Sequence, residues 1–461
     1  MGWQTKLRPG VLFDRIRSRA WVWGLFLLLA FLDQTWWGYR FGDTNQSFQV
    51  PILKSYFDSA LYSGDLLMQT RSHYTTVYYF LLGLINQVVG NLELVFFAVH
   101  LLVIALLFGA IHRLARTTFK RPGVGLLAVL QMLPRRFDIQ LGGGFLHRAF
   151  HTHTLAASPI VLFAISKFLD GKQTLAFFLL GLIFNINAQS VLFVFAMLAL
   201  TSAIRWREYG LKTMARWLGV FVLAASPVLI WILTAAGEPL TQEWLRLLRI
   251  RSSHHSFPLT WPAAHWAIYG LFLSFGLIAW SLVRRGGENR STHNAFGWFT
   301  VAFAVLCGMG LVFSAWVPVK LVLRANLFRS SAFMTVFVLI YGSNMVRTLW
   351  DGRNGEKALA VLIFLTLFFP AYRMWLVPLM LLLPIVLHRK IDWWAAIPGA
   401  AMVIVAARTP SVRFGALDLR PVRQFLGAFV DRPPLASLSV TILGWLGLRK
   451  IPARVRRPIV A

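Results

Sequence analysis

The chain is short of three things, and each shortage excludes a class of protein. It has a single cysteine, Cys307, in 461 residues, so no internal disulfide can staple it. Charged residues make up only 14%, well under the roughly 25% of a soluble globular domain. Acids are scarcer still: 17 Asp and Glu stand against 46 Lys and Arg, a net charge of +29. What fills the space is apolar, with 57% hydrophobic and 15% aromatic residues and a mean hydropathy of +0.63. A disordered chain needs the opposite balance. The composition is that of a membrane protein, and on such a protein a basic excess is first a matter of topology, because Lys and Arg collect in cytoplasmic loops. Nucleic acid is not implied as a partner.

Lys6, Arg8, Arg15, Arg17 and Arg19 precede an apolar run from Ala20 to about Leu32 that ends in Trp36 and Trp37. The long basic leader, the lack of a small-residue cleavage site and the aromatic belt read as a retained signal anchor with its N-terminus inside. Further runs lie at Tyr74 to Val89, Leu92 to Ile111, Gly123 to Leu133, Thr154 to Phe168, Thr174 to Ile186, Val191 to Ile204, Trp217 to Leu233, Ala263 to Val283 and Phe296 to Trp316. Ala332 to Val346, Leu359 to Phe369, Trp375 to Leu387 and Trp394 to Ala406 complete the series. Several fall short of the roughly 20 residues a perpendicular helix needs. If the run at 74–89 lies in the interface or re-enters, the basic clusters at Arg113 to Arg121, Arg205 to Arg216, Arg284 to Arg290, Arg347 to Arg353 and His388 to Lys390 all become cytoplasmic. The expectation is therefore an all-α polytopic membrane protein with about thirteen spans and interfacial helices in its first outer loop. Residues 1–407 form one integral domain, and 408–461 form a basic tail with an apolar stretch at Leu435 to Leu448, interfacial or one more span.

Seventeen acids can be sorted completely. Asp14, Asp170, Glu208, Glu288, Asp351, Glu356 and Asp392 sit beside basic residues in the cytoplasmic segments, where solvated loop charges suffice. Glu93 marks the edge of the second span. Asp33 is inside the first, and an acid at membrane depth costs about 2.5 to 3.5 kcal/mol on insertion scales, so it is either functional or close enough to the border to reach water. Asp43, Asp58, Asp65, Asp138, Glu238 and Glu243 face outward, with Asp418 and Asp431 in the tail.

Three of these share the first outer loop, YRFGDTNQSFQVPILKSYFDSALYSGDLLMQTRSHY. A polar loop of that length is more often functional than connecting. Asp43 and Gln46, three apart, can share one helical turn, as can Asp58 and Tyr62 at four; in the plainer alternative Asp43 and Asn45 cap short helices. The second outer loop, PRRFDIQLGGGFLHRAFHTHT, combines Asp138, a flexible GGG, and His147, Arg148, His151 and His153. His147 and His151 would share a metal if the segment were helical, so a divalent metal stays open. An anion site built from Arg148 with Arg135 or Arg136 fits the residues better. Two later outer loops are basic against the positive-inside tendency: Arg246, Arg249, Arg251, His254 and His255 in one, Lys320, Arg324 and Arg329 in the other. Snorkelling at the interface accounts for single arginines. As a set they ask for an anion, and a lipid phosphate is the natural one.

Together, Asp43 in FGDTNQ, the interfacial run before Leu92, Asp138, and the segment LLGLIFNINAQSVLFVF with Asn185, Asn187 and Gln189 resemble the GT-C superfamily of integral membrane glycosyltransferases. The resemblance covers about Trp21 to Ala407. It implies a GT-C-like bundle in a bacterial inner membrane and inverting transfer of a sugar from a polyprenyl-phosphate donor to a glycan, lipid or protein on the outer face. Asp43, or second Asp65, would act on the acceptor hydroxyl. Arg148, Arg324 and Arg329 would hold the leaving phosphate, with Gln46, Asp138, His147 and Arg246 completing the substrate site. The chain departs from the family's pattern in lacking an adjacent acid pair after the first span and a recognisable outer domain.

Two other readings compete. An O-antigen ligase or polymerase type of enzyme makes the loop from Glu238 to Pro262 essential and Asp43 dispensable. A transporter or lipid flippase calls for ionisable groups facing each other in mid-membrane.

Overall fold

A computed structural model of the chain describes residues 19–133, 140–144, 146–235, 240–284 and 289–369, with a few single positions beyond. The apolar runs up to Phe369 all appear as helices, and the described residues contain no strand. Four helices open the chain: α1 (Arg19–Trp37), α2 (Gln46–Ser55), α3 (Leu66–Gln69) and α4 (Tyr78–Val89). Then come α5 (Leu92–Phe119), α6 (Pro122–Met132), α7 (His153–Leu169), α8 (Gln173–Phe184), α9 (Ala188–Ile204), α10 (Trp206–Tyr209) and α11 (Leu211–Thr234). The rest are α12 (Gln242–Ser256), α13 (Ala263–Arg284), α14 (Arg290–Ala315), α15 (Lys320–Ala325), α16 (Ser331–Trp350) and α17 (Asn354–Phe368). The runs expected at Trp375 to Leu387, Trp394 to Ala406 and Leu435 to Leu448, and the basic tail, lie outside the described residues.

Five stretches are long and apolar enough to cross a membrane: α5, α11, His265–Arg284 of α13, α14, and the run Lys320–Trp350. The longest single helix shows why such a segment forms. Asn91 caps α5 by accepting from the Leu94 amide at 3.0 Å, Glu93 sits in the positively polarised first turn, and the 28 residues extend about 42 Å at ~1.5 Å each. The central strut is α16, in which every residue from Ser331 to Val346 is buried, Ser331, Thr335, Ser343 and Asn344 included; a mostly apolar helix without a continuous polar stripe has no solvent face to present.

Packing orders the ends of the bundle. Gly109 in α5 lies against Trp23 and Phe26 of α1, so close that a Cβ there would be 2.7 Å from the Trp23 ring. At the opposite end Tyr39, just beyond α1, meets Phe97 and His100 near the start of α5. The two helices are thus antiparallel, and residues 38–91 connect them at one end. In that connection α4 has only 12 residues, about 18 Å at ~1.5 Å per residue, too short for a core of roughly 30 Å.

The basic clusters gather at the other end. There Arg113 pairs with Asp170, Arg205 with Glu208 and Arg347 with Asp351, and Asn289 donates to the Thr118 carbonyl at 3.4 Å. The connection 38–91, the GGG segment and the basic loops of α12 and α15 share the end that carries Tyr39. Trp231 at the close of α11 donates to Ser72 O at 2.8 Å, and Thr76 to Ile186 O at 2.7 Å.

Candidate functional site

At that end a cleft opens between the GGG turn, α12 and the one-turn 3-10 helix Leu327–Ser330. It spans about 1400 Å³ with its open mouth included and continues into a smaller recess of about 440 Å³, its opening likewise included; Asn45, Gly143, Arg148 and Arg329 line both. Arg329 is the anchor. Its Nε donates to Gly142 O at 3.2 Å, its Nη1 to Gln189 Oε1 at 3.1 Å, and its Nη2 faces His255 Nε2 at 2.8 Å. The Nδ1 of His255 is 2.8 Å from the same Gly142 carbonyl. A carbonyl only accepts and a guanidinium only donates, so His255 carries its proton on Nδ1 and offers the Nε2 lone pair to Arg329. Burial, then the positive field of Arg329, holds its pKa down to about 3, which keeps the ring neutral.

Arg148 donates to Gly143 O at 3.3 Å and lies over the Phe150 ring. Burial, then the field of Arg329, lowers its pKa to about 10, still charged at neutral pH. Two guanidiniums close enough to perturb one another therefore share one cleft. None of the described residues that line it is an aspartate or glutamate. Like charges converging in a partly desolvated site are stabilised by an anion.

The glycines shape this arrangement. Gly142 and Gly143 both adopt φ +63°, and a Cβ on Gly144 would lie 2.7 Å from Arg329 O. The GGG is a close-approach surface for the Arg329 backbone, not the flexible hinge its composition suggests. A second kink serves α12, whose Ser252 leaves helical geometry at φ −131°, ψ 27°, and the residues after it, Ser253 to His255, line the cleft.

The expected site residues divide accordingly. Arg148 and Arg329 meet in the cleft. Asp43 is not itself a lining residue but directly precedes Thr44 and Asn45, which are, and so stands at the lip; it is partly exposed and bonded to Thr44 Oγ1 at 3.0 Å and Arg40 Nη1 at 3.3 Å, contacts that hold its carboxyl below the ordinary carboxylate range. Gln46 shares a turn with Asp43 only through the backbone. Its side chain is fully buried, accepting from Gly42 N at 2.8 Å and donating to His151 O at 2.9 Å, so it ties the first outer loop to the second. Asp65 caps α3 by accepting from Leu67 N at 2.7 Å and does not line the cleft. Arg246 and Arg324 are exposed and also outside its lining. Asp138, with Arg135 and Arg136, lies outside the described residues.

The segment from His147 to Thr152 is not helical, so His147 and His151 do not converge on a metal. His147 turns to Asp33 and His151 to the Tyr78 hydroxyl. The described residues hold no group of three His, Cys, Asp or Glu placed to bind one. His255 and Gln189, which fix Arg329, were legible only as a His-His pair in a basic loop and a polar interruption of an apolar run. No protein-family model, curated protein or solved structure matches the chain.

Proposed function

We propose that the protein is an integral membrane glycosyltransferase of GT-C type, taking a sugar from a polyprenyl-phosphate donor and passing it to an acceptor at the bundle end where the cleft opens. The single observation that carries this reading is the convergence of Arg148 and Arg329 on a cleft whose described lining contains no carboxylate. Displacing a lipid phosphate from an anomeric carbon requires cations on the departing oxygens and a carboxylate beside the attacking hydroxyl. The guanidiniums meet the first need and Asp43, at the lip, the second. With its pKa lowered by Thr44 and then Arg40, Asp43 is ionised at neutral pH. It orients the acceptor hydroxyl and receives its proton as the new glycosidic bond forms and the lipid phosphate leaves with the bonding electrons.

In this reading the shorter apolar helices other than α4 also cross the bilayer, giving about thirteen spans with the two expected beyond the described residues. The basic end, with Arg113, Arg205 and Arg347, is cytoplasmic, and the cleft faces outward from a bacterial inner membrane. Glycolipid analysis of a deletion strain complemented with Asp43→Asn tests it. The expected outcome is a normally expressed protein with transfer reduced by about 10²- to 10⁴-fold, the usual worth of a positioned acid or base. An unchanged glycan profile in the deletion strain itself would reject the enzyme.

The O-antigen ligase or polymerase type retains one specific support: the loop from 238 to 262 supplies His254, His255 and Trp261 to the cleft. It predicts full activity in Asp43→Asn.

A further inference from the structure

Transfer as described makes no use of the most buried acid in the described chain. Asp33, near the end of α1, is 1% exposed. Its Oδ2 accepts from Gln34 Nε2 at 2.8 Å and lies 3.2 Å from Nε2 of His147, which is 4% exposed. Nδ1 of His147 has no hydrogen-bond partner among the described residues. An unpaired buried N–H costs more than an unpaired lone pair on an aromatic nitrogen, so the ring proton belongs on Nε2, donated to Asp33. A carboxylate at this depth is expensive and is retained where it has work to do.

The next residue after His147 is Arg148. From Leu146 to Thr152 the chain is neither helix nor strand, so no backbone ladder sets its path. Side chains and one isolated backbone bond set it instead. Asp33 holds position 147 and the Arg40 amide donates to the Ala149 carbonyl at 2.9 Å, while Gln46 holds the His151 carbonyl at 2.9 Å and Tyr78 holds the His151 ring. These anchors bracket Arg148 on both sides, and the one at position 147 is a side-chain bond that substitution can remove.

We propose that Asp33 is a positioning residue for the anion cleft: through its hydrogen bond to His147 it fixes the backbone beside Arg148 and so aims that guanidinium at the substrate phosphate. The inference rests on the lipid-phosphate reading above and adds a residue that touches neither substrate nor cleft. A purely structural pair would behave differently. Replacing a buried ionic or polar pair by apolar side chains of similar volume is often neutral for stability, so Asp33→Leu combined with His147→Phe separates the two roles.

The test is calorimetric binding of farnesyl phosphate, with inorganic phosphate in parallel, to the full-length chain in detergent, alongside thermal melting. In Asp33→Asn the amide oxygen still accepts from His147 Nε2, and affinity is expected to stay within about twofold. In the double variant the melting temperature is expected to hold while affinity for farnesyl phosphate falls roughly ten- to a hundredfold, the cost of a misplaced binding group. Asp33→Ser, whose hydroxyl stops short of the imidazole, carries the same expectation should the double variant not fold. Wild-type affinity in the double or Ser variant overturns the positioning role alone, as does loss of binding in Asp33→Asn at an unchanged melting temperature. No binding of farnesyl phosphate by the wild type overturns the lipid-phosphate reading and this inference with it, and equal affinity for inorganic phosphate assigns the cleft to free anions.

Discussion

The two ends of the helical bundle treat arginine in opposite ways. At the basic end Arg113, Arg205 and Arg347 each meet a carboxylate, Asp170, Glu208 and Asp351, on or near the surface. At the cleft end Arg329 is held by a carbonyl, an amide and a neutral imidazole, with a second guanidinium nearby. Neutral acceptors fix the geometry of a cation without cancelling its charge. The difference separates arginines paired with acids from an arginine held by neutral groups, which the proposed reading assigns to an anion.

Five substitutions put this contrast to the test. The largest expected effect is that of Arg329→Ala, which removes one of two charges from the cleft and should reduce transfer by roughly 10²- to 10³-fold, the usual cost of deleting a preorganised donor. Arg113→Ala, measured in the same assay, should leave transfer nearly untouched. A smaller effect is expected from Gly144→Ala, because its Cβ would sit 2.7 Å from Arg329 O; a loss of about 1–3 kcal/mol, as for other overpacking changes, should appear in thermal or denaturant melts together with weaker phosphate binding.

The pH response follows from His255. Its folded pKa of about 3 lies below the ordinary 6.5, so the unfolded chain takes up a proton first as pH falls. This contribution to stability is therefore complete above about pH 6.5 and is lost progressively toward pH 3. Melting temperature followed over that interval should fall less steeply in His255→Asn than in the wild type. Equal slopes would remove His255 as a source. The smallest effect belongs to the basic end: Glu208→Ala breaks an exposed pair with Arg205 and should cost under about 1 kcal/mol, visible in melting and absent from binding.

Much of the architecture was legible because it depends on composition and length. The apolar runs mark the helices even where they are short, and burial of α16 on all sides agrees with a sequence whose few polar residues are scattered around the helix. The expectation that the 74–89 run stays at one end rested on charge, because only then do Arg113 and Arg116 join the anchor's end of the bundle; the antiparallel packing of α1 and α5 agrees with that arrangement. The site was readable in part. Arg148 stood out as an anion ligand of the second outer loop and Arg329 as one of the cations set against the positive-inside tendency, whereas Arg246 and Arg324, equally conspicuous, are exposed outside the cleft, because sequence records a charge without the direction of its side chain. Asp65 looked like Asp43 until its carboxylate was found capping α3. His255 and Gln189 were hidden for the opposite reason, since their value lies in contacts to Gly142 and Arg329 that join residues 74 and 140 positions apart.

The proposed function requires the cleft to be an anion site for a lipid phosphate. Equilibrium binding of farnesyl phosphate to the purified full-length chain, compared with the Arg148→Ala, Arg329→Ala double variant at matched stability, tests it most directly. Saturable binding by the wild type that disappears in the double variant is the predicted result. Binding that survives loss of both guanidiniums would contradict it.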